Sequence, residues 1–188
     1  MDLTTQYLGL TLKNPLVPSA SPLSRRVEMA REMEDAGASA IIMYSLFEEA
    51  VTADTENSAR FLSHQSTGFA EAETFLPDFH DYEHGLDVYL NNLRRLKEAL
   101  DIPVIASLNG VTPGGWVEHG RELEQAGADA LELNVYYIAA DLEQSGAQVE
   151  ARYLDLLTEL KKHISVPINM KLSPTFSALG HFVRQLEA

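Results

Sequence analysis

The sequence predicts an α/β chain of parallel β/α units, and three observations carry that expectation. Arg31-Glu-Met-Glu-Asp-Ala-Gly-Ala-Ser-Ala40 returns as Arg121-Glu-Leu-Glu-Gln-Ala-Gly-Ala-Asp-Ala130, identical at seven of ten positions. Each copy reads as a helix end closed by a glycine C-cap, Gly37 or Gly127, followed almost at once by an apolar strand. Helical and strand-like apolar periods then alternate to the end of the 188 residues, the order that builds a parallel sheet.

Taken in order, the loose alternation over 4–12, with Gly9 inside it, predicts a short N-terminal β-hairpin. Leu16 and Val17, clipped by Pro15 and Pro18, form a first strand ending at Ser19-Ala20-Ser21. Ser24 is placed to cap a helix running to 36, with Val27, Met29, Ala30 and Met33 on its apolar face. A second strand over 40–43 leads into 44–85, a stretch rich in Ser, Thr, Glu, Asp and His, and loops of that length are usually functional lids or disordered. Leu90, Leu93, Leu96 and Leu100 mark a helix over 86–100. Strands over 103–108, 130–135 and 166–171 alternate with helices over 116–126, 148–163 and 176 to the end.

That makes five β/α units in a single domain, 1–188, without an internal linker. Two architectures accommodate them: an open doubly wound sheet, or the N-terminal five-eighths of a (β/α)8 TIM barrel, which when complete takes roughly 250 residues. No glycine-rich phosphate loop follows the first strand, where a nucleotide-binding open sheet carries one, so the partial barrel is the expected fold. Its open edge would expose unpaired strand backbone, so association, with a homo-oligomer as one form of it, or instability is expected if no further chain exists.

Composition narrows the functional classes. A hydrophobic share of 45% suffices for a core, yet no apolar run approaches a membrane span. The start, Met1-Asp-Leu-Thr-Thr, lacks the pattern of a signal peptide, and the cytoplasm is the expected compartment. Zero cysteines exclude disulfides, thiolate metal sites and a cysteine base. A net charge of −14 repels phosphate backbones and anionic lipid, so neither nucleic acid nor membrane is expected as a partner. A small-molecule substrate is.

In parallel β/α proteins chemistry collects at the C-terminal ends of the strands. Here those positions hold Ala20 and Ser21, Tyr44 and Ser45, Asn109 and Gly110, Asn134 with Tyr136 and Tyr137, and Lys171 with Ser173. Lys171 closes an otherwise apolar strand, where an ammonium needs a compensating partner unless it snorkels to solvent. Asn109 and Asn134 end neighbouring strands and serve either as pocket amides or as turn formers. Together they offer donors to an anionic or carbonyl-rich planar ligand. Tyr136-Tyr137 reads equally as core aromatics or as chemistry, and Trp116 as packing or pocket wall. Gly114-Gly115 permits a tight turn or a backbone anion site at a helix start. His80-Asp81-Tyr82-Glu83-His84 has metal-friendly residue types but no helix to align them, so no metal is expected, and Glu48-Glu49 reads as a solvated face.

Four segments resemble the dihydroorotate dehydrogenase family. They are Tyr7-Leu-Gly-Leu-Thr-Leu-Lys-Asn-Pro-Leu-Val-Pro-Ser-Ala-Ser21, Ala38-Ser-Ala-Ile-Ile-Met-Tyr-Ser45, Glu132-Leu-Asn134 and Asn169-Met-Lys-Leu-Ser-Pro174, in the family's order. The resemblance implies a flavin mononucleotide (FMN) barrel that oxidises or reduces a C–C bond of a dihydropyrimidine-like ring. By position, it implies that Ala20, Ser21, Tyr44, Ser45, Asn109, Asn134 and Lys171 line the cofactor, with Lys171 stabilising negative charge on the reduced ring. The departures are specific. Tyr44 stands where the family has the lysine of Thr-Lys-Ser, the family's Asn-Ser-Met-Gly-Leu has no counterpart, and Asn134-Val-Tyr-Tyr137 puts Tyr137 in place of the usual cysteine or serine base. An ordinary tyrosine ionises near pH 10, so it needs strong activation to act as a base. Two alternatives stay open: a Schiff-base aldolase using Lys171, and a flavin binder that has lost dehydrogenase activity.

Overall fold

The structure is a computed structural model that describes residues 1–54 and 85–188. The histidine-rich stretch at 80–84 and most of the long segment after the second strand lie outside the described residues.

Leu8 and Gly9 both take positive φ, 53° and 72°, as a two-residue hairpin turn requires. They join β1 (Thr5–Tyr7) to β2 (Leu10–Leu12) in the expected antiparallel hairpin. The main sheet follows as β3 (Ile41–Phe47), β4 (Val104–Asn109), β5 (Ala130–Asn134) and β6 (Ile168–Lys171), all parallel and side by side in chain order.

The expected strand at Leu16 and Val17 does not form, which corrects the count in this sheet from five to four. The segment nevertheless lies against β3: Leu16 O accepts from Ser39 N–H at 2.9 Å and Pro18 O from Ile42 N–H at 3.2 Å. Pro18 has no N–H to return and the Leu16 N–H donates to Asn14 Oδ1 at 2.8 Å, so the ladder is one-sided. Among the described residues the sheet is open, with no pairing between β6 and β3.

The helices are a 3-10 turn (Pro22–Arg25), α1 (Val27–Asp35), α2 (Gly85–Ala99), α3 (Pro113–Gln125), α4 (Gly146–Leu160) and α5 (Leu179–Glu187), with a further helical stretch over 48–54. Ser24, expected as a cap, instead sits buried within the 3-10 turn, its Oγ donating to Ser21 O and accepting from Tyr44 N–H. The repeated segments close their helices in the same way. Gly37 and Gly127 adopt φ of 108° and 101°. Their N–H groups bond Glu34 O and Glu124 O, and the next residues, Ala38 and Ala128, reach back to Met33 O and Leu123 O. This is the paired C-terminal bonding that glycine in the left-handed region makes accessible.

Each sheet face has its own core. The helices cover Ile41, Met43, Leu46, Val104, Ala106, Leu108, Leu131 and Leu133. On the opposite face the hairpin brings Leu12, with Tyr7, Leu8 and Leu10, onto Ile42, Ile105 and Ala130. The strand ends project beyond that apolar floor.

One irregularity sets which residues face which way. Between Ile42 and Ser45, β3 advances three residues while β4 advances two, from Ile105 to Ser107. The surplus residue is a bulge. Tyr89 of α2 fills the gap: its hydroxyl accepts from Ser107 N–H at 3.1 Å and donates to Ser107 O at 3.2 Å. Burial pushes that hydroxyl's ionisation far above its ordinary range, so it stays a neutral donor and acceptor.

At the C-terminal end, Phe182 of α5 packs on Phe176 and on Tyr153 of α4, with ring centroids 4.5 and 5.7 Å apart. That aromatic cluster is what fastens the last helix.

Candidate functional site

Strand alternation stacks the hairpin-side face into rows. The lowest is apolar, Ile42–Ile105–Ala130 in register. The next is Ser45–Ser107–Glu132–Asn169, polar on every strand. Above it come Phe47 paired with Asn109, and Asn134 paired with Lys171. A polar row over an apolar floor at the strand ends is where a parallel β/α protein places its chemistry.

The polar row, with Asn134 and Lys171 above it, forms one network of hydrogen bonds and an ion pair. Ser45 Oγ and Ser107 Oγ lie 2.9 Å apart, and Asn134 Nδ2 donates to both, at 3.2 and 2.9 Å. Ser107 Oγ donates to Glu132 Oε1 at 3.3 Å, and Asn169 Nδ2 donates to Glu132 Oε2 at 3.4 Å. Lys171 Nζ stands 3.5 Å from Glu132 Oε1. The Glu132 side chain is 4% exposed and that of Lys171 39%, so the pair runs from the interior to the surface. Its negative end is felt in the hairpin: burial first, then the Glu132 charge, raise the Tyr7 hydroxyl above its ordinary ionisation range.

The sequence-derived candidates divide accordingly. Ser45, Asn134 and Lys171 meet in the network. Asn109 lies on the same face, and among the described residues its buried Oδ1 has no hydrogen-bond partner. Ala20 packs on the apolar floor, and Ser21 precedes the 3-10 turn, its carbonyl accepting from Ser24. Tyr44 goes elsewhere. Its ring packs edge-on to Tyr89 at 4.8 Å and lies under the Arg25 guanidinium at 4.6 Å, with the helix-side core. Tyr137 is also turned away: its hydroxyl donates to Gln144 Oε1 at 2.7 Å and its ring lies under Arg152 at 3.9 Å. Trp116 is core, packed so closely over Gly110 that a side chain there would collide with the indole.

Glu132, Ser107 and Asn169 were missed as candidates. The signal was present in Ala130-Leu-Glu-Leu-Asn134, where a carboxylate between two buried leucines must share a face with Asn134. Glu48 was misread as solvated. It is 8% exposed, and its carboxylate accepts from Val111 N–H, from Thr112 N–H at 3.0 Å and from Thr112 Oγ1 at 2.5 Å. Gly115 leaves the room for it. The protein's own carboxylate therefore occupies the start of α3, where the paired glycines had suggested an external anion.

Burial works to raise the Glu48 ionisation, but hydrogen bonds from Thr112 and Val111, with the nearby His119, hold it below the usual carboxylate value. A carboxyl depressed in the folded state stabilises the fold above its unfolded value, and that contribution disappears as pH falls through the folded value. Thermal melts should accordingly drop from about pH 5 towards pH 3, with a shallower decline in Glu48→Gln. Parallel pH profiles in the two proteins would remove Glu48 from the acid limb.

A surface groove edged by Val117, Arg121, Glu159 and His163 lies between α3 and α4 and includes none of the network residues.

No family profile matches the chain. Individual relatives do. It is 30% identical over 183 residues to the NAD-dependent dihydropyrimidine dehydrogenase subunit PreA of Escherichia coli K12, covering 92% of this chain and 42% of that protein. It is 32% identical over 170 residues to the catalytic subunit of dihydroorotate dehydrogenase B (NAD(+)) of Methanosarcina mazei, covering 88% of this chain and 51% of that one. For the corresponding Thermoplasma acidophilum subunit the identity is 26% over 189 residues, covering 99% and 59%.

The chain is similar to dihydroorotate and dihydropyrimidine dehydrogenase subunits at 25–32% identity over most of its own length. It spans about half the length of the curated relatives it matches. Among solved structures it is similar to YagE, a protein of the dihydrodipicolinic acid synthase family from E. coli K12, with a TM-score of 0.55 at 14% identity, covering 92% of this chain and 50% of that one. A dihydrodipicolinate synthase family protein from Coccidioides immitis gives 0.53 at 11% identity, covering 91% and 49%. At those identities the likeness concerns the α/β fold alone.

Proposed function

We propose that this chain forms the flavin-binding part of an FMN-dependent dehydrogenase acting on the CH–CH bond of a dihydropyrimidine-like ring, on a partial (β/α)8 barrel. The observation that carries this reading is the row at the strand ends. Asn134 and Lys171 stand in register above a polar layer that anchors them, beside Asn109 Oδ1, which has no partner among the described residues. A planar ring edged with carbonyls and N–H groups fits that donor and acceptor set.

The flavin ring, when bound, accepts a hydride and gathers negative charge at its pyrimidine edge. Lys171 would hold that edge and offset the charge, while Asn134 and Asn109 would bind its polar atoms. Ala20 and Ser21 would add backbone contacts from the neighbouring corner. The start of α3 is closed to the flavin phosphate because Glu48 already fills it; in barrels of this kind the phosphate grip usually comes from loops after later strands.

FMN titrated into the protein should give a saturable shift of the flavin absorbance. Lys171→Met should weaken binding about tenfold, equivalent to roughly 1.4 kcal/mol. Equal affinities in the two proteins would overturn the assignment of Lys171.

A second reading, a flavin site without dehydrogenase activity, draws on Tyr137. Its hydroxyl is engaged by Gln144 rather than turned toward the network, so among the described residues nothing stands in for the family's proton acceptor at that position. Reduction of bound flavin by 5,6-dihydrouracil supports the dehydrogenase, and its absence supports the second reading. The aldolase alternative has less to stand on, because Lys171 is ion-paired with Glu132 instead of facing the mouth alone.

A further inference from the structure

Each of the four parallel strands ends in one residue at the mouth: Phe47 in register with Asn109, and Asn134 with Lys171. Two of these are fixed from below, Asn134 by Ser45 and Ser107, and Lys171 by Glu132. Asn109 is held differently, since its buried Oδ1 has no hydrogen-bond partner among the described residues. The direction of its amide therefore follows the backbone that carries it.

That backbone is gripped on both sides. Val111 N–H, Thr112 N–H and Thr112 Oγ1 all donate to the Glu48 carboxylate, the last two at 3.0 and 2.5 Å. Trp116 lies so close over Gly110 that the turn has no room to move towards the indole. At Gly115 the Glu48 carboxylate fills the space a Cβ would take. Burial opposes ionisation of this carboxyl, but the bonds from Thr112 and Val111 outweigh burial and keep it below its ordinary value. Glu48 directly follows Phe47, so the end of β3 is tied to the turn just beyond the end of β4. Hydrogen bonds weaken steeply with misalignment, and a turn free to shift would give up any contact made by Asn109.

We propose that Glu48 is the positioning residue for this side of the mouth, fixing the Asn109 amide for a ring bound there. The proposal rests on the flavin reading above and adds the support behind one of its contacts. Glu48 acts through Asn109, as Glu132 stands behind Lys171 on the other side.

The test titrates FMN into wild type, Glu48→Ala, Asn109→Ala and the double variant, each shown to be folded by far-UV circular dichroism. Each single substitution should weaken binding about tenfold, and the double variant should stay within about twofold of Asn109→Ala alone. A Glu48 that merely steadied the fold would give independent losses, about a hundredfold together. Gly115→Ala is a second route: its methyl evicts the carboxylate while alanine suits α3, and it should reproduce the loss if Glu48→Ala fails to fold. Additive losses, or an unchanged affinity in folded Glu48→Ala or Gly115→Ala, overturn the proposal. Wild-type affinity in all of these variants, with weakened binding in Lys171→Met, sinks the proposal and leaves the flavin reading standing. A wild-type protein that takes up no flavin removes both.

Discussion

Glu132→Ala should lower the unfolding free energy by about 3 kcal/mol, the low end of the range for breaking a buried charge pair. The low end applies because Lys171 is 39% exposed and keeps part of its hydration once unpaired. The remaining loss comes from Ser107 Oγ and Asn169 Nδ2, both of which donate to the Glu132 carboxylate. Glu132→Gln keeps one acceptor oxygen, for Ser107 Oγ, and sets an NH2 against Asn169 Nδ2, so it should cost about 1 kcal/mol, the scale of a single hydrogen bond. Urea denaturation at neutral pH distinguishes the two variants. A loss below about 1 kcal/mol in the alanine variant would show that the pair adds little to the fold and that the lysine simply extends into solvent.

Phe182→Ala should cost about 3–5 kcal/mol, as for other large aromatic side chains removed from a core. Phe182 is fully buried and contacts both Phe176 and Tyr153. The cluster joins α5 to α4 and so to the body of the molecule. Loss of the ring should release α5, and amide exchange over 179–187 should accelerate with it. If α5 stays protected while global stability falls, the helix is fastened by something other than this cluster. A loss under about 1 kcal/mol would indicate that α5 docks outside the cooperative fold.

The regular part of the architecture was legible because it depends on local chemistry. The repeated Glu-x-Ala-Gly-Ala ending encodes the same C-terminal bonding twice, and Gly37 and Gly127 take the left-handed geometry that pattern demands. Leu93 and Leu96 lie fully buried on α2, as their spacing requires. The strand at Leu16 and Val17 failed because Pro18 leaves a carbonyl to accept but no donor for a ladder, and Asn14 takes the Leu16 N–H.

The site was half legible. Asn134 and Lys171, which the structure brings into register, were legible as candidates from their places at strand ends. Ser107 and Glu132 were overlooked because a mid-strand polar residue shows its partners only once neighbouring strands are in register. Glu48 looks like any acid beside another acid. Its burial depends on a loop more than sixty residues away, at Val111 and Thr112, and no local pattern carries that information. Tyr137 was placed by sequence position alone, and contacts with Gln144 and Arg152 decide its orientation.

The slip between Ile42 and Ser45 has a consequence for comparing proteins of this kind. A single surplus residue inverts the parity of everything after it on β3, so odd and even positions exchange sides of the sheet. Counting along that strand from a matched residue therefore assigns side chains to the wrong surface, however good the match upstream. Tyr44 illustrates the hazard: by sequence resemblance it takes the place of the lysine in Thr-Lys-Ser, yet it lies among the helix-side hydrophobics, while its neighbour Ser45 joins the polar row. Correspondence across the slip has to be drawn from geometry.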